Sequence, residues 1–193
     1  MDFTLDPGLA IIWGVLIGIF TTFFAFLLSE KVKQWLLRKS VASALLAEAT
    51  AAREQHMEVI GKHIEATVEG SLPQQRFVWD GEAFPIFKQL SGNLGLFSKD
   101  EAGQLARSYS QALGFVASLK AFMNKMNRLD DLTIQIAATD QAGHGNAKAA
   151  FQTERGILEK WQIDFFKYIK ERHTQVTGPV YSTIKSILEK HAK

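Results

Sequence analysis

Hydrophobic positions along this chain fall into two regimes. From Leu9 to Ser29 the run LAIIWGVLIGIFTTFFAFLLS contains no charged residue. From Val41 onward apolar residues recur at intervals of three and four, the period of a helix with one buried face. The first regime predicts a helix that is apolar on every side. As an α-helix it measures about 31 Å, the hydrocarbon thickness of a bilayer. Inside a soluble body it would need apolar partners all round, and the remainder of the chain is too amphipathic to supply them. A cleaved signal peptide fits poorly. It wants a basic leader, a shorter apolar core and a small-x-small cleavage site, whereas here Asp2 and Asp6 precede the run and it continues straight into SEKVKQWLLRK. The stretch reads as an uncleaved transmembrane helix over residues 9–29, preceded by a short extracytoplasmic N-terminus, residues 1–8.

The second regime predicts that residues 30–69 form a juxtamembrane helix continuing into a bundle. Leu45, Ala49, Ala52, His56, Ile60 and Ile64 step by three and four, alanine favours helix, and Gly70 and Pro73 end it. Residues 70–193 supply the rest of the body. Ser98 with Glu101 has the pattern of a capping box, so a long helix begins there. Its stripe of Leu105, Tyr109, Ala112, Leu119, Met126 and Leu132 runs to about Ala138. The polar loop Thr139–Ala147 is short enough to join antiparallel helices. Helix resumes near Ala147 with Leu158, Trp161, Phe165 and Arg172. Gly178-Pro179 then breaks the pattern, and a last amphipathic helix spans Val180 to His191. No strand-period segment and no internal repeat is apparent. The fold class is all-α: a single N-terminal transmembrane helix followed by an antiparallel helical bundle.

Arg76–Phe97 stands apart because it is dense in aromatics and glycine. It predicts a short helix from about Gly81 to Leu90 and a glycine-punctuated loop through Gly92 and Gly95. Such a segment either plugs one end of the bundle or displays a partner surface. Phe77, Trp79, Phe84, Phe87 and Phe97 are the candidate residues for that surface.

Charge orients the span. All 22 lysines and arginines follow it, as do all but two of the 20 acidic residues. Lys31, Lys33, Arg38 and Lys39 stand just beyond it against the single Glu30. Basic residues stay on the cytoplasmic side, so the N-terminus faces out and the body faces the cytoplasm. With Trp35 these four form an expected interfacial anchor. Gly14, Gly18 and Thr22, four apart, form a face where another helix can approach closely. The plan resembles that of small bacterial inner-membrane proteins with one N-terminal span and a helical cytoplasmic body. That likeness is architectural and implies no activity.

Chemistry is sparse. The formal net charge of +2 is too mild for a dedicated nucleic-acid binder. The absence of cysteine excludes disulfides, thiolate metal sites and a cysteine nucleophile. His56 and His63 lie seven apart rather than the four of a helical metal pair. Glu-x-x-His, the phosphate-cradling loop and Gly-x-Ser-x-Gly are all missing. Asp100-Glu101 and Asp130-Asp131 are adjacent carboxylates, which on a helix diverge by about 100° and do not share a site. The histidines read as solvated or locally hydrogen-bonded, and Tyr109 and Tyr168 as packed. The sequence thus marks no catalytic, metal or cofactor-binding residue and no small-molecule substrate. Its expected partners are the lipid bilayer and either another membrane protein or copies of itself. The expected role is a non-enzymatic accessory subunit, scaffold or regulator working through protein–protein contacts. A homo-oligomeric membrane effector or channel component, with Thr21 and Thr22 lining its centre, is the alternative.

Overall fold

Helix α1 runs from Pro7 to His56 without a break, as the absence of internal proline and the abundance of alanine and leucine favour. The computed structural model describes residues 7–73 and 82–193, with side chains from Val15 onward. A π turn, Met57–Gly61, carries α1 into a short continuation, α2, Lys62–Ala66. The rod stops three residues before the end expected near Glu69. Thr67 leaves helical geometry there, and its hydroxyl folds back onto the His63 carbonyl at 2.6 Å. Helix α3, Pro85–Leu90, leads into a 3-10 stretch, Ser91–Leu96, where the sequence predicted a loop. Then come α4, Lys99–Gln141, and α5, Gly145–Gln175, joined by only three residues. A second π turn, Val176–Val180, passes into α6, Tyr181–Ala192. Among the described residues there is no strand, and the fold is an all-α bundle of four long helices.

Pro179 was expected to break the chain's course, and it does not. A proline inside an α-helix lacks a donor and crowds the carbonyl four residues back. The wider i→i+5 turn accommodates it, so α5, the π turn and α6 continue as one rod. That rod lies antiparallel to α1. Its contacts march in opposite order along the two rods: Lys39 with Lys193, Thr50 with Tyr181, Arg53 with Thr177, His56 with His173 and Thr67 with Lys170.

Helix α4 starts at the end where α6 finishes, and Lys190 and His191 both reach Glu101, at 2.7 and 3.2 Å. The predicted capping box is present: the Ser98 hydroxyl accepts from the Glu101 N–H, and the Glu101 carboxylate accepts from the Ser98 N–H at 3.1 Å. Helix α3 bridges α1 and α4. The Glu48 carboxylate accepts from the backbone N–H groups of Ile86 and Phe87 at 2.6 and 2.9 Å, satisfying orphan donors at the start of α3. Phe84 and Phe87 then pack on Tyr109, which donates its buried hydroxyl to the Leu45 carbonyl at 2.9 Å.

The core divides in two. One cluster gathers Val41, Leu45, Phe87, Phe97, Leu105, Tyr109, Ile184 and Leu188 at the end nearest the apolar run. The other gathers Ile60, Ile64, Phe115, Phe122, Met126, Phe166 and Ile169 at the far end. Between them lies a waist marked by both π turns.

Candidate functional site

Among the described residues, the part of α1 that precedes the body is exposed. From Val15 to Leu28 its large apolar side chains are exposed, Phe20 at 68%, while Leu45 on the same helix is at 0%. It is the one described helix long and apolar enough to cross a membrane, with a mean hydropathy of 1.8 over its most apolar window. The hydroxyls of Thr21 and Thr22 donate to the carbonyls of Ile17 and Gly18 at 2.6 and 2.8 Å. Turned back in this way, they leave no unsatisfied donor on an otherwise apolar surface. A Cβ added at Gly18 would meet nothing within 4 Å, and Val15, Gly18, Ile19, Thr22 and Phe23 outline a shallow open groove. Gly14 precedes the residues whose side-chain surroundings are described.

Past this exposed apolar run, the predicted anchor residues fall on a neck and on the lower edge of the body. Lys33 pairs with Glu30 at 3.1 Å. Val32, Trp35, Leu36 and Leu37 are exposed. Lys39 lies 5.4 Å from the centre of the Trp35 ring and donates to the main-chain oxygen of Lys193 at 2.6 Å. Arg38 is half-buried, and its Nε has no hydrogen-bond partner. Next to them, Lys190 above all, with Ser98 and His191, holds the Glu101 carboxyl down to about 2.

The aromatic segment divides. Phe87 and Phe97 are buried, Phe87 stacked on Tyr109 with ring centres 4.0 Å apart and Phe97 edge-on to His191. Phe84 is half-buried and adopts a left-handed backbone, φ 54°, immediately before Pro85, which bars it from the α region. These three side chains serve the core, the plugging role the sequence left open. Phe77 and Trp79 lie outside the described residues. The exposed aromatics of the body are on α5 instead. Exposed Trp161, half-buried Phe165 and exposed Tyr168 stack in succession, with centres 4.8 and 5.7 Å apart, and Arg172 lies over Tyr168. Ile157, 69% exposed, continues the same face. Tyr109 is packed as expected, whereas Tyr168 is substantially exposed.

The waist holds what periodicity did not reveal. His56, at the end of α1, and His173, near the end of α5, are both buried, with Nε2 of the first 2.9 Å from Nδ1 of the second. Glu65 lies 3.2 Å from His173 Nε2. A carboxylate only accepts, so His173 places a proton on Nε2 toward Glu65, and in the neutral ring its Nδ1 then accepts from the Nε2–H of His56. Burial, reinforced by the neighbouring His173, lowers His56 from 6.5 to about 4, so His56 is neutral at ordinary pH. Phe115 meets the His56 ring edge-on at 5.4 Å.

Gly61 makes room for the partner ring. Its backbone is ordinary helix, but a Cβ would come within 3.2 Å of His173 Cε1 and 2.9 Å of Met57 Sδ. Beside the pair, α1, α4 and α6 enclose an apolar cavity of about 40 Å³ with Arg53 and Tyr181 at its rim. These histidines were expected to be solvated or locally bonded. The buried stripe through Leu45, Ala49, Ala52 and Ile60 already carried His56, and that was the available signal. Its pairing across 117 residues was not legible.

Among the described residues no group of three or more His, Asp or Glu side chains is arranged to hold a metal ion. No family model matches the chain, and no match to it is found among curated proteins or solved structures.

Proposed function

We propose that this chain is a single-pass inner-membrane protein, N-terminus outside and body in the cytoplasm, acting without chemistry of its own as an accessory subunit, scaffold or regulator. One observation carries the reading. Within a single uninterrupted helix, apolar side chains are exposed on all sides up to Leu37 and buried on one face from Val41. An apolar surface of that extent needs a non-aqueous surrounding, and its length suits a bilayer. The cluster of lysines and Arg38 on the body side supports the orientation. The exposed Ile157, Trp161 and Tyr168 on α5 supply a face suited to a protein partner, since aromatic anchors dominate such contacts.

The cysteine-free chain suits a topology test. Thr4→Cys and Ser186→Cys are each labelled with a membrane-impermeant maleimide in spheroplasts and in inverted vesicles. The expected result is Thr4→Cys labelled only in spheroplasts and Ser186→Cys only in inverted vesicles, with the protein resisting alkaline carbonate. Release by carbonate, or the reverse labelling, would overturn the reading.

A further inference from the structure

We propose that the lower end of the body, where the end of α6 and the start of α4 meet α1, is a docking surface for the anionic headgroups of the bilayer. The inference rests on the membrane reading above and extends it to residues far from the span in sequence. Three segments converge at one level. Lys39 of α1 holds the main-chain oxygen of Lys193, and Lys190 holds Glu101 in the first turn of α4, next to Lys99. Antiparallel packing of α6 on α1 therefore returns the basic end of α6 to the foot of the span.

Charge decides the occupant. Of the side-chain carboxylates at this end, Glu30 is engaged by Lys33, Glu101 by Lys190 and Glu189 by Lys185, which leaves the exposed Asp100 against the remaining cations. Among the described residues Lys31, Arg38, Lys99 and Lys193 make no ion pair with a carboxylate. The half-buried Arg38 keeps an unpartnered Nε among them. A cationic surface joined to the foot of a span is complementary to a negatively charged leaflet.

Distance agrees. Ten helical residues from Ser29 to Lys39 rise about 15 Å. The headgroup layer takes about 5–8 Å of that on each side, and the field of the leaflet extends about 8 Å further at physiological salt. A helix tilt of about 20° brings one side of the end surface closer still.

The test uses the full chain in phosphatidylcholine bilayers, comparing the association of spin-labelled phosphatidylglycerol with that of spin-labelled phosphatidylcholine. The expected result is a preference for phosphatidylglycerol that falls in the Lys99→Gln, Lys193→Gln double variant, by up to about five-fold for each lysine at the surface. It should return with Lys99→Arg, Lys193→Arg and vanish at about 1 M salt, where the screening length is about 3 Å. Circular dichroism melting of each variant checks that the body stays folded. A preference unchanged in the double variant overturns the docking surface and leaves the membrane reading standing, because Lys31 and Lys33 on the neck would then account for it. Absence of any bilayer-associated protein overturns both.

Discussion

Helix α1 is one rod with two fates, and the contrast between its halves is the most informative feature of the molecule. Between Val15 and Leu37 its apolar residues point in all directions and are exposed. Between Val41 and Ile64 they narrow to a stripe, and that stripe is buried against α3, α5 and α6. Backbone geometry is continuous through the junction. The number of directions in which a helix presents apolar groups thus indicates its surroundings: one face for protein packing, all faces for a lipid-like medium.

The contrast breaks most sharply at a fully buried position. Leu45→Ala should cost about 2–5 kcal/mol of body stability through lost burial and the cavity left behind. Ile17→Ala should leave the same circular dichroism melt in mild detergent unchanged. The opposite perturbation targets the exposed half. Ile19→Lys places a charge near the middle of the span and should cost about 3 kcal/mol of insertion. It should move the protein from the carbonate-resistant to the soluble fraction while the body melts at the wild-type temperature.

Acid separates the halves without mutation. His56 takes up its proton at about 4 when folded and near 6.5 when unfolded. The unfolded chain therefore binds more protons between those values, and stability falls as pH drops through that window. The loss approaches an order of 3 kcal/mol once pH is below both values. Denaturation midpoints measured from pH 7 to 4 should show it, His56→Gln should flatten the slope, and membrane retention should not follow it, since Leu9–Ser29 contains nothing that titrates. The smallest effect is at the start of α4. Ser98→Ala removes the hydroxyl from the capping box and should lower body stability by about 1 kcal/mol, with no change in membrane association.

Much of this was open to a reader of the sequence. The three-and-four spacing from Leu45 to Ile64, and the stripe through Leu105, Ala112, Leu119, Met126 and Leu132, name positions that the structure buries, except Ala52, which is half-buried. Ser98 and Glu101 announce a cap that is present. Breaks were harder to read. Gly178-Pro179 has the local signature of a helix end, yet a π turn absorbs it, because packing of α6 on α1 favours continuing the rod. The aromatic segment was ambiguous because aromatic density is the same whether rings face a core or a partner. Phe87 and Phe97 are in the core only because Tyr109 and His191 are there to receive them.

The sequence by itself determined the all-α class, the long apolar helix at its start and the placement of positive charge beyond it. These are local properties, set by the period of apolar residues and by which side chains follow one another. Tertiary structure alone decided that His56 meets His173 between two apolar clusters, and that Lys193 returns to Lys39 just past the apolar run. Both depend on the antiparallel register of two rods more than a hundred residues apart. That register is fixed by the summed packing of many side chains and by two π turns whose positions no short stretch of sequence encodes.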